Sequence, residues 1–305
     1  MAKSNHHAAI TGGLLITVVL WGGNNAGTKW LLAAWPPIFT GSTRFLLAGL
    51  ILMAVLHRTA WLGGVQPLTG AQRRQLWWRG GLSLAVYMIL FCWALRLTAA
   101  AHVALYIGAS PIWSLLAEGR PERNWSGVRR YGAALLAVSG VVVLFWPVLH
   151  TGSINLGGEM CGLAASVLWA NYNHQSRILA RDISGVVVAA NAMWMSGVWL
   201  LPLGVWEVAR HGLRLDAQHL SMQGFCILCG GVVPYALWNS ALRYWQTSRV
   251  MLFNNFIPLT TATCAYFFLG EPLTSTFCVA MVLIVAGVVL GQVEWTKFFR
   301  EPESF

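Results

Sequence analysis

The run Ala94-Leu95-Arg96 through Pro111 returns as Ala241-Leu242-Arg243 through Pro258, 147 positions later. With that single offset Val103 falls on Val250, Leu105 on Leu252, Ala133 on Ala280, Leu136 on Leu283 and Gly140-Val141-Val142 on Gly287-Val288-Val289. At an offset of 148, Trp21, Asn25 and Lys29 fall on Trp169, Asn173 and Arg177. Self-similarity at a fixed period marks a duplicated structural unit. The chain therefore reads as two copies of one module, residues 1–149 and 150–305.

Composition fixes the class of that module. Of 305 residues, 57% are apolar and 10% are charged, whereas a soluble domain carries about a quarter charged residues. Mean hydropathy is +0.60. Ten apolar segments, at 10–32, 38–57, 77–97, 100–117, 130–149, 158–180, 186–208, 222–243, 247–269 and 273–292, are long enough to cross a bilayer as helices. Period-two alternation is absent, which argues against a barrel, the other fold that satisfies every backbone polar group in lipid. The first segment follows Lys3 and has the outline of a signal peptide. Its polar Asn24-Asn25 and its repeat partner at 158–180 argue that it stays as a helix.

Charge sets the topology. Fifteen of the 20 Lys and Arg residues lie on one side of the ten segments, and Lys29, Arg44, Arg96, Arg210 and Arg214 lie on the other. Both termini are expected in the cytoplasm. The net charge of +10 thus belongs to short loops and does not point to nucleic acid. Five helices per half is an odd number, so the second copy must enter the membrane upside down. The expected fold is an all-α membrane protein of ten transmembrane helices in two inverted five-helix repeats, an arrangement common among secondary transporters.

Several further residues carry a resemblance. They are Trp21-Gly22-Gly23-Asn24 with Lys29, Pro37 followed by Thr43-Arg44-Phe45, Ala94-Leu95 with Ala104 and Pro111, Ala241-Leu242 with Pro258, and Gly270-Glu271-Pro272, with Gly140 and Gly287. On these the chain resembles the EamA type of the drug/metabolite transporter superfamily and, within it, the aromatic amino acid exporters. The resemblance implies outward movement of aromatic and other neutral amino acids across the inner (cytoplasmic) membrane. Two positions depart from the repeat: Asn124 stands where the offset places the equivalent of Glu271, and Ala192 stands near the counterpart of Arg44.

Candidate substrate-binding residues fall into two sets. Trp21 and Trp169 lie near the centres of their segments, followed by Asn25 and Asn173 at i+4 and by Lys29 and Arg177 at i+8, so each helix presents one stripe. Amides at that depth either line a wet cavity or bond neighbouring helices, and the two cations suit snorkelling. The second set is Tyr87, Tyr106, Trp238, Asn239 and Asn254. Tyr106, Ser110 and Trp113 share a face, which suits either a ligand cage or plain packing. Gly108, Pro111, Pro234 and Pro258 are candidate hinges or kinks.

Other chemistry finds little support. Away from segment ends there is Arg44, close enough to its own end to snorkel, and no carboxylate, because Glu159 and Glu207 sit at margins. Transport is therefore expected to need no carboxylate at the bilayer midplane. No His-Glu-x-x-His, Gly-x-Ser-x-Gly or Gly-x-x-x-x-Gly-Lys run occurs, which argues against an enzyme or a self-powered pump. Cys226 and Cys229 form a lone Cys-x-x-Cys, read as packing residues. No metal or cofactor is expected. The expected partners are a small-molecule substrate and membrane lipid, with the chain acting as a monomer. Residue types alone leave amino acids, drugs and sugars open as cargo, and a channel-like facilitator open as mechanism.

Overall fold

The computed structural model describes residues 2–110, 113, 125–151, 155–179, 182–244, 250 and 252–292. Pro111 and Asn124 lie outside them, as does the side chain of Arg177. The described residues are helical, with no β-strand among them. We label the helices α1 (Ala2–Leu32), α2 (Pro37–Arg58), α3 (Gly70–Leu97), α4 (Ala100–Gly108), α5 (Trp125–Thr151), α6 (Leu156–Leu179) and α7 (Gly185–His211). There follow α8 (Ala217–Tyr244), α9 (Leu252–Leu269) and α10 (Ser275–Gln292). Most of these follow the apolar segments of the sequence, although α1 begins well before its segment and α4 ends at Gly108, midway along the segment 100–117.

Among the described residues four helices, at Pro37–Arg58, Gly70–Leu97, Gly185–His211 and Ala217–Ala241, are long and apolar enough to span a bilayer. Shorter apolar helices run over Tyr131–Leu144 and Ser275–Leu290. α1 and α6 fall outside that group, in keeping with the amides and histidine they carry at Asn24, Asn25, Asn173 and His174. The outward faces are apolar: Leu15, Ile16 and Val19 on α1, Leu47 and Leu50 on α2, Leu135 and Val142 on α5, Phe267 and Phe268 on α9 are all exposed. Contiguous apolar surface of this kind suits lipid. The chain is a multi-pass membrane protein.

The principal packing partner of each helix lies in the other repeat. α2 packs on α7, α5 on α10, α3 on α6, and α1 on α8 and α9. Along α2, Ile38 and Phe39 meet Glu207, Ser42 and Leu46 meet Gly197, Gly49 meets Trp194, and Met53 meets Asn191. Numbers rise along α2 as they fall along α7, so these repeat equivalents run antiparallel. The seam needs small residues: a methyl group at Gly49 would lie 2.4 Å from the Trp194 amide nitrogen, and one at Gly197 would lie 2.6 Å from Leu46 Cα. The pair Gly140 and Gly287 does the same for α5 and α10, where the added methyls would meet the carbonyls of Ala280 and Ala133.

The sequence did not announce two local departures from α-helix. α3 contains a π-helical stretch, Leu76–Gly81, and α8 another, Leu228–Val232. Each includes a Gly-Gly pair that lies against the second helix of the opposite repeat: Gly81 meets Met195 and Ser196, and Gly231 meets Ala48. π-bulges of this kind occur often at functional sites. α9 opens as a 3-10 turn, Leu252–Phe256, before the α-helix Ile257–Leu269.

Candidate functional site

A partly open cavity lies between the repeats. Trp21, Asn24 and Asn25 line it from α1, Arg44 and Phe45 from α2, Tyr87 and Phe91 from α3, Gly108 from α4, Trp169 from α6, Gly230 and Tyr235 from α8, and Asn254 from α9.

Its two aromatic walls are copies of one another. Trp21 meets Tyr235 edge to face, with ring centroids 5.8 Å apart, and Trp169 tilts against Tyr87 at 5.1 Å. Each wall joins the first helix of one repeat to the third helix of the other. Proline chemistry fixes the first wall. Pro234 has no N–H to give the carbonyl four residues back, and that carbonyl, of Gly230, accepts the Trp21 indole N–H at 3.1 Å. A methyl group at Gly230 would lie 2.0 Å from Asn24 Oδ1, so any larger residue there must displace the Asn24 side chain. The Asn25 side-chain amide donates to Thr261 Oγ1 at 3.0 Å.

Of the residues singled out from sequence, Trp21, Asn25, Tyr87, Trp169, Asn254 and Gly108 line the cavity. Tyr106, Asn173, Trp238 and Asn239 do not. Tyr106 is buried and its hydroxyl donates to Glu159. Asn173 and Asn239 turn back on their own helices, donating to the carbonyls of Trp169 and Tyr235 at 2.9 and 2.8 Å. Such local side-chain bonds compete with any longer reach. Trp238 stands behind Trp21 at 5.3 Å. Pro258 lies in the first turn of the α-helical part of α9, just after the 3-10 turn, and packs on Gly108, a position that suits a residue lacking an N–H.

Three charged residues depart from the sequence reading. Arg44 does not snorkel but is buried, 5% exposed, beside the cavity. Its Nη1 donates to Thr28 Oγ1 at 3.0 Å and Asn24 Oδ1 at 3.4 Å, and its Nη2 approaches Met88 Sδ at 3.5 Å. Lys29 pairs with Glu271 at 2.9 Å and also donates to the Thr98 carbonyl. Glu159, marginal by position in the first turn of α6, is fully buried and accepts from Thr98, His102 and Tyr106.

Two carboxylates of the second repeat also cap helices of the first. Pro36 and Ala99, which precede α2 and α4, offer no side-chain cap. Glu207 Oε2 instead accepts from the N–H groups of Ile38 and Phe39 at 2.8 and 3.1 Å, and Glu271 accepts from that of Ala100 at 3.0 Å. Gly270, left-handed at φ 67°, turns the chain after α9, just before Glu271. Beyond the bundle, the Asp216 side chain caps α8. Its carboxyl is held well below its usual value, at about 2, first by the His219 backbone N–H and then by the His219 ring, with Arg214 adding to the effect.

The profile of the EamA-like transporter family matches twice, at residues 10–146 and 156–291. The chain belongs to this family. A probable amino-acid metabolite efflux pump of Escherichia coli (strain K12) is 23% identical over 93% of this EamA-like chain and 95% of its own length. A probable terminal-alkyne amino-acid exporter of Streptantibioticus cattleyicolor is 25% identical over 91% of each chain. A solved crystal structure superimposes with a TM-score of 0.60 at 20% identity, covering 94% of this chain and 98% of its own, and so shares the fold. The family and these relatives' names indicate a transporter and not an enzyme.

The cavity of this EamA-like transporter includes residues that sequence reasoning passed over, Tyr235 above all. The signal was present: the offset of 148 that aligns Trp21 with Trp169 also aligns Tyr87 with Tyr235. Arg44 had no comparable signal, since its repeat counterpart is an alanine.

Proposed function

We propose that the chain is a secondary exporter of aromatic and other neutral amino acids, working by alternating access in the inner (cytoplasmic) membrane. It crosses that membrane ten times with both termini cytoplasmic, residues 1–149 and 150–305 forming inverted halves. The observation that carries this reading is the duplicated Trp–Tyr wall, Trp21 with Tyr235 and Trp169 with Tyr87, flanking one cavity between antiparallel equivalents. Aromatic faces accept an aromatic side chain, while amides such as Asn25 and Asn254 offer polar ends a partner. The amino-acid efflux named for two relatives supports the same cargo. Inverted halves with a site between them suit rocking about that site. Lys29–Glu271 and the bonds to Glu159 and Glu207 join the halves at the extracytoplasmic end and must part for release.

Counterflow in liposomes tests the reading. Labelled phenylalanine should exchange against an internal phenylalanine pool. Removing one aromatic wall with Trp169→Ala should raise the half-saturating concentration about 2- to 12-fold, from about 0.5–1.5 kcal/mol per aromatic pair. Absence of exchange by the folded wild-type protein would refute export of this cargo class.

A further inference from the structure

Arg44 is the sole charged side chain lining the cavity among the described residues, and no Asp, Glu, Lys or His joins it there. No carboxylate among the described residues pairs with it; its partners are a hydroxyl, an amide oxygen and a thioether sulfur. Phe45 and Phe91 lie at 5.2 and 5.5 Å from the guanidinium carbon, so the charge is held against ring faces. Its Nε is buried and has no hydrogen-bond partner.

A guanidinium has five N–H donors in a planar fork. Nη1 is spent on Thr28 and Asn24. Nε–H and the neighbouring Nη2–H lie along one edge, and of these only an Nη2–H has a partner, the weak acceptor Met88. That edge matches the two oxygens of a carboxylate, the bidentate pairing for which arginine is suited. A buried cation without a counter-ion is unfavourable, and an incoming anion relieves it. The opposite charge meets no anionic side chain among the lining residues, and of the neutral acceptors there Asn24 Oδ1 is occupied by Arg44 and the Gly230 carbonyl by Trp21.

We propose that Arg44 is the carboxylate-binding residue of this cavity and that the site selects an aromatic or apolar monocarboxylate, for which an α-ammonium is dispensable. This rests on the cavity being the cargo site and deepens the reading above: the substrate class is set by the acid group, and acids lacking the amine are also taken. Arg44 binds by ion pairing along the Nε/Nη2 edge while the Trp–Tyr walls hold the ring.

Three probes separate the groups: L-phenylalanine, 3-phenylpropanoate, which lacks the amine, and phenethylamine, which lacks the acid. Binding to the purified protein in detergent is read by isothermal titration calorimetry, independently of transport. 3-Phenylpropanoate should bind within about tenfold of phenylalanine and compete with it, and phenethylamine should bind at least thirtyfold more weakly than either. Arg44→Gln should lose both acids by at least thirtyfold, and Arg44→Lys, which keeps the charge but not the fork, should lose less. The wild-type series stands even if a variant fails to fold. Phenethylamine binding as well as the acids, 3-phenylpropanoate failing to bind, or a folded Arg44→Gln keeping wild-type affinity would each overturn the proposal. Acid binding that depends on Arg44 without phenylalanine counterflow would sink the export reading alone. Counterflow with equal binding of the amine would sink this one alone.

Discussion

Glu207 closes the N-terminus of α2 from the other repeat, and its removal has a calculable effect. Both its hydrogen bonds arrive at Oε2, from the Ile38 and Phe39 N–H groups at 2.8 and 3.1 Å, and the residue is 5% exposed. Glu207→Ala strands two donors, each worth about 1–3 kcal/mol when buried and unmet. Water reaching the helix end recovers part of this, so a loss of about 2–3 kcal/mol is expected. Glu207→Gln keeps an oxygen in place and forfeits the charge facing the helix dipole, about 1 kcal/mol. Unfolding in mixed dodecyl maltoside and SDS micelles, followed by tryptophan fluorescence, measures both. Amide exchange should also quicken at Ile38 and Phe39 in the alanine variant. Equal losses for Ala and Gln, or an alanine loss under about 0.5 kcal/mol, would refute the cap.

Other expectations follow from neighbouring contacts. Tyr106→Phe removes a hydrogen bond to a buried carboxylate and should lower stability by about 1.5–3 kcal/mol; in a Glu159→Ala background the same change should have much less effect, a double-mutant cycle read in the same micelles. Gly230→Ala forces Asn24 away from a contact of 2.0 Å and should destabilise by about 1–3 kcal/mol, with weaker phenylalanine binding by calorimetry. For Asp216 the folded pKa, about 2, lies below the unfolded value near 3.9. Its contribution is therefore complete above about pH 4 and is lost as pH falls towards 2. Amide exchange in the first turn of α8, corrected for intrinsic rates, should rise as pH falls across that window in the wild type, and Asp216→Ala should exchange faster above about pH 4 and converge with the wild type towards about pH 2.

Helix positions were legible because they depend on run length and hydropathy, quantities carried by each segment alone. Trp21 and Trp169 were legible because duplication wrote the tryptophan twice, whereas the Tyr87–Tyr235 pair that the same offset aligns went unread. What failed depended on where a side chain turns. Arg44 lies two turns into α2, and nothing in its neighbours says that it faces inward to Thr28 and Asn24. Asn173 shares a stripe with Trp169, yet the carbonyl one turn back holds its amide. Glu159 reads as marginal because depth was judged from the segment end, whereas its burial comes from α4 crossing over it. The π-helical turns hold Gly-Gly pairs that meet α7 and α2, partners more than a hundred residues distant, so no local pattern marks them.

The antiparallel seam of α2 on α7, and of α5 on α10, bears on how the protein is made. An intermediate in which only α1 to α5 have emerged from the ribosome lacks the faces of α6 to α10 on which those helices pack. That half-product should be short-lived and open to quality-control proteolysis. The same interlocking means that two polypeptides cut between α5 and α6 and synthesised together carry all the information needed to find each other.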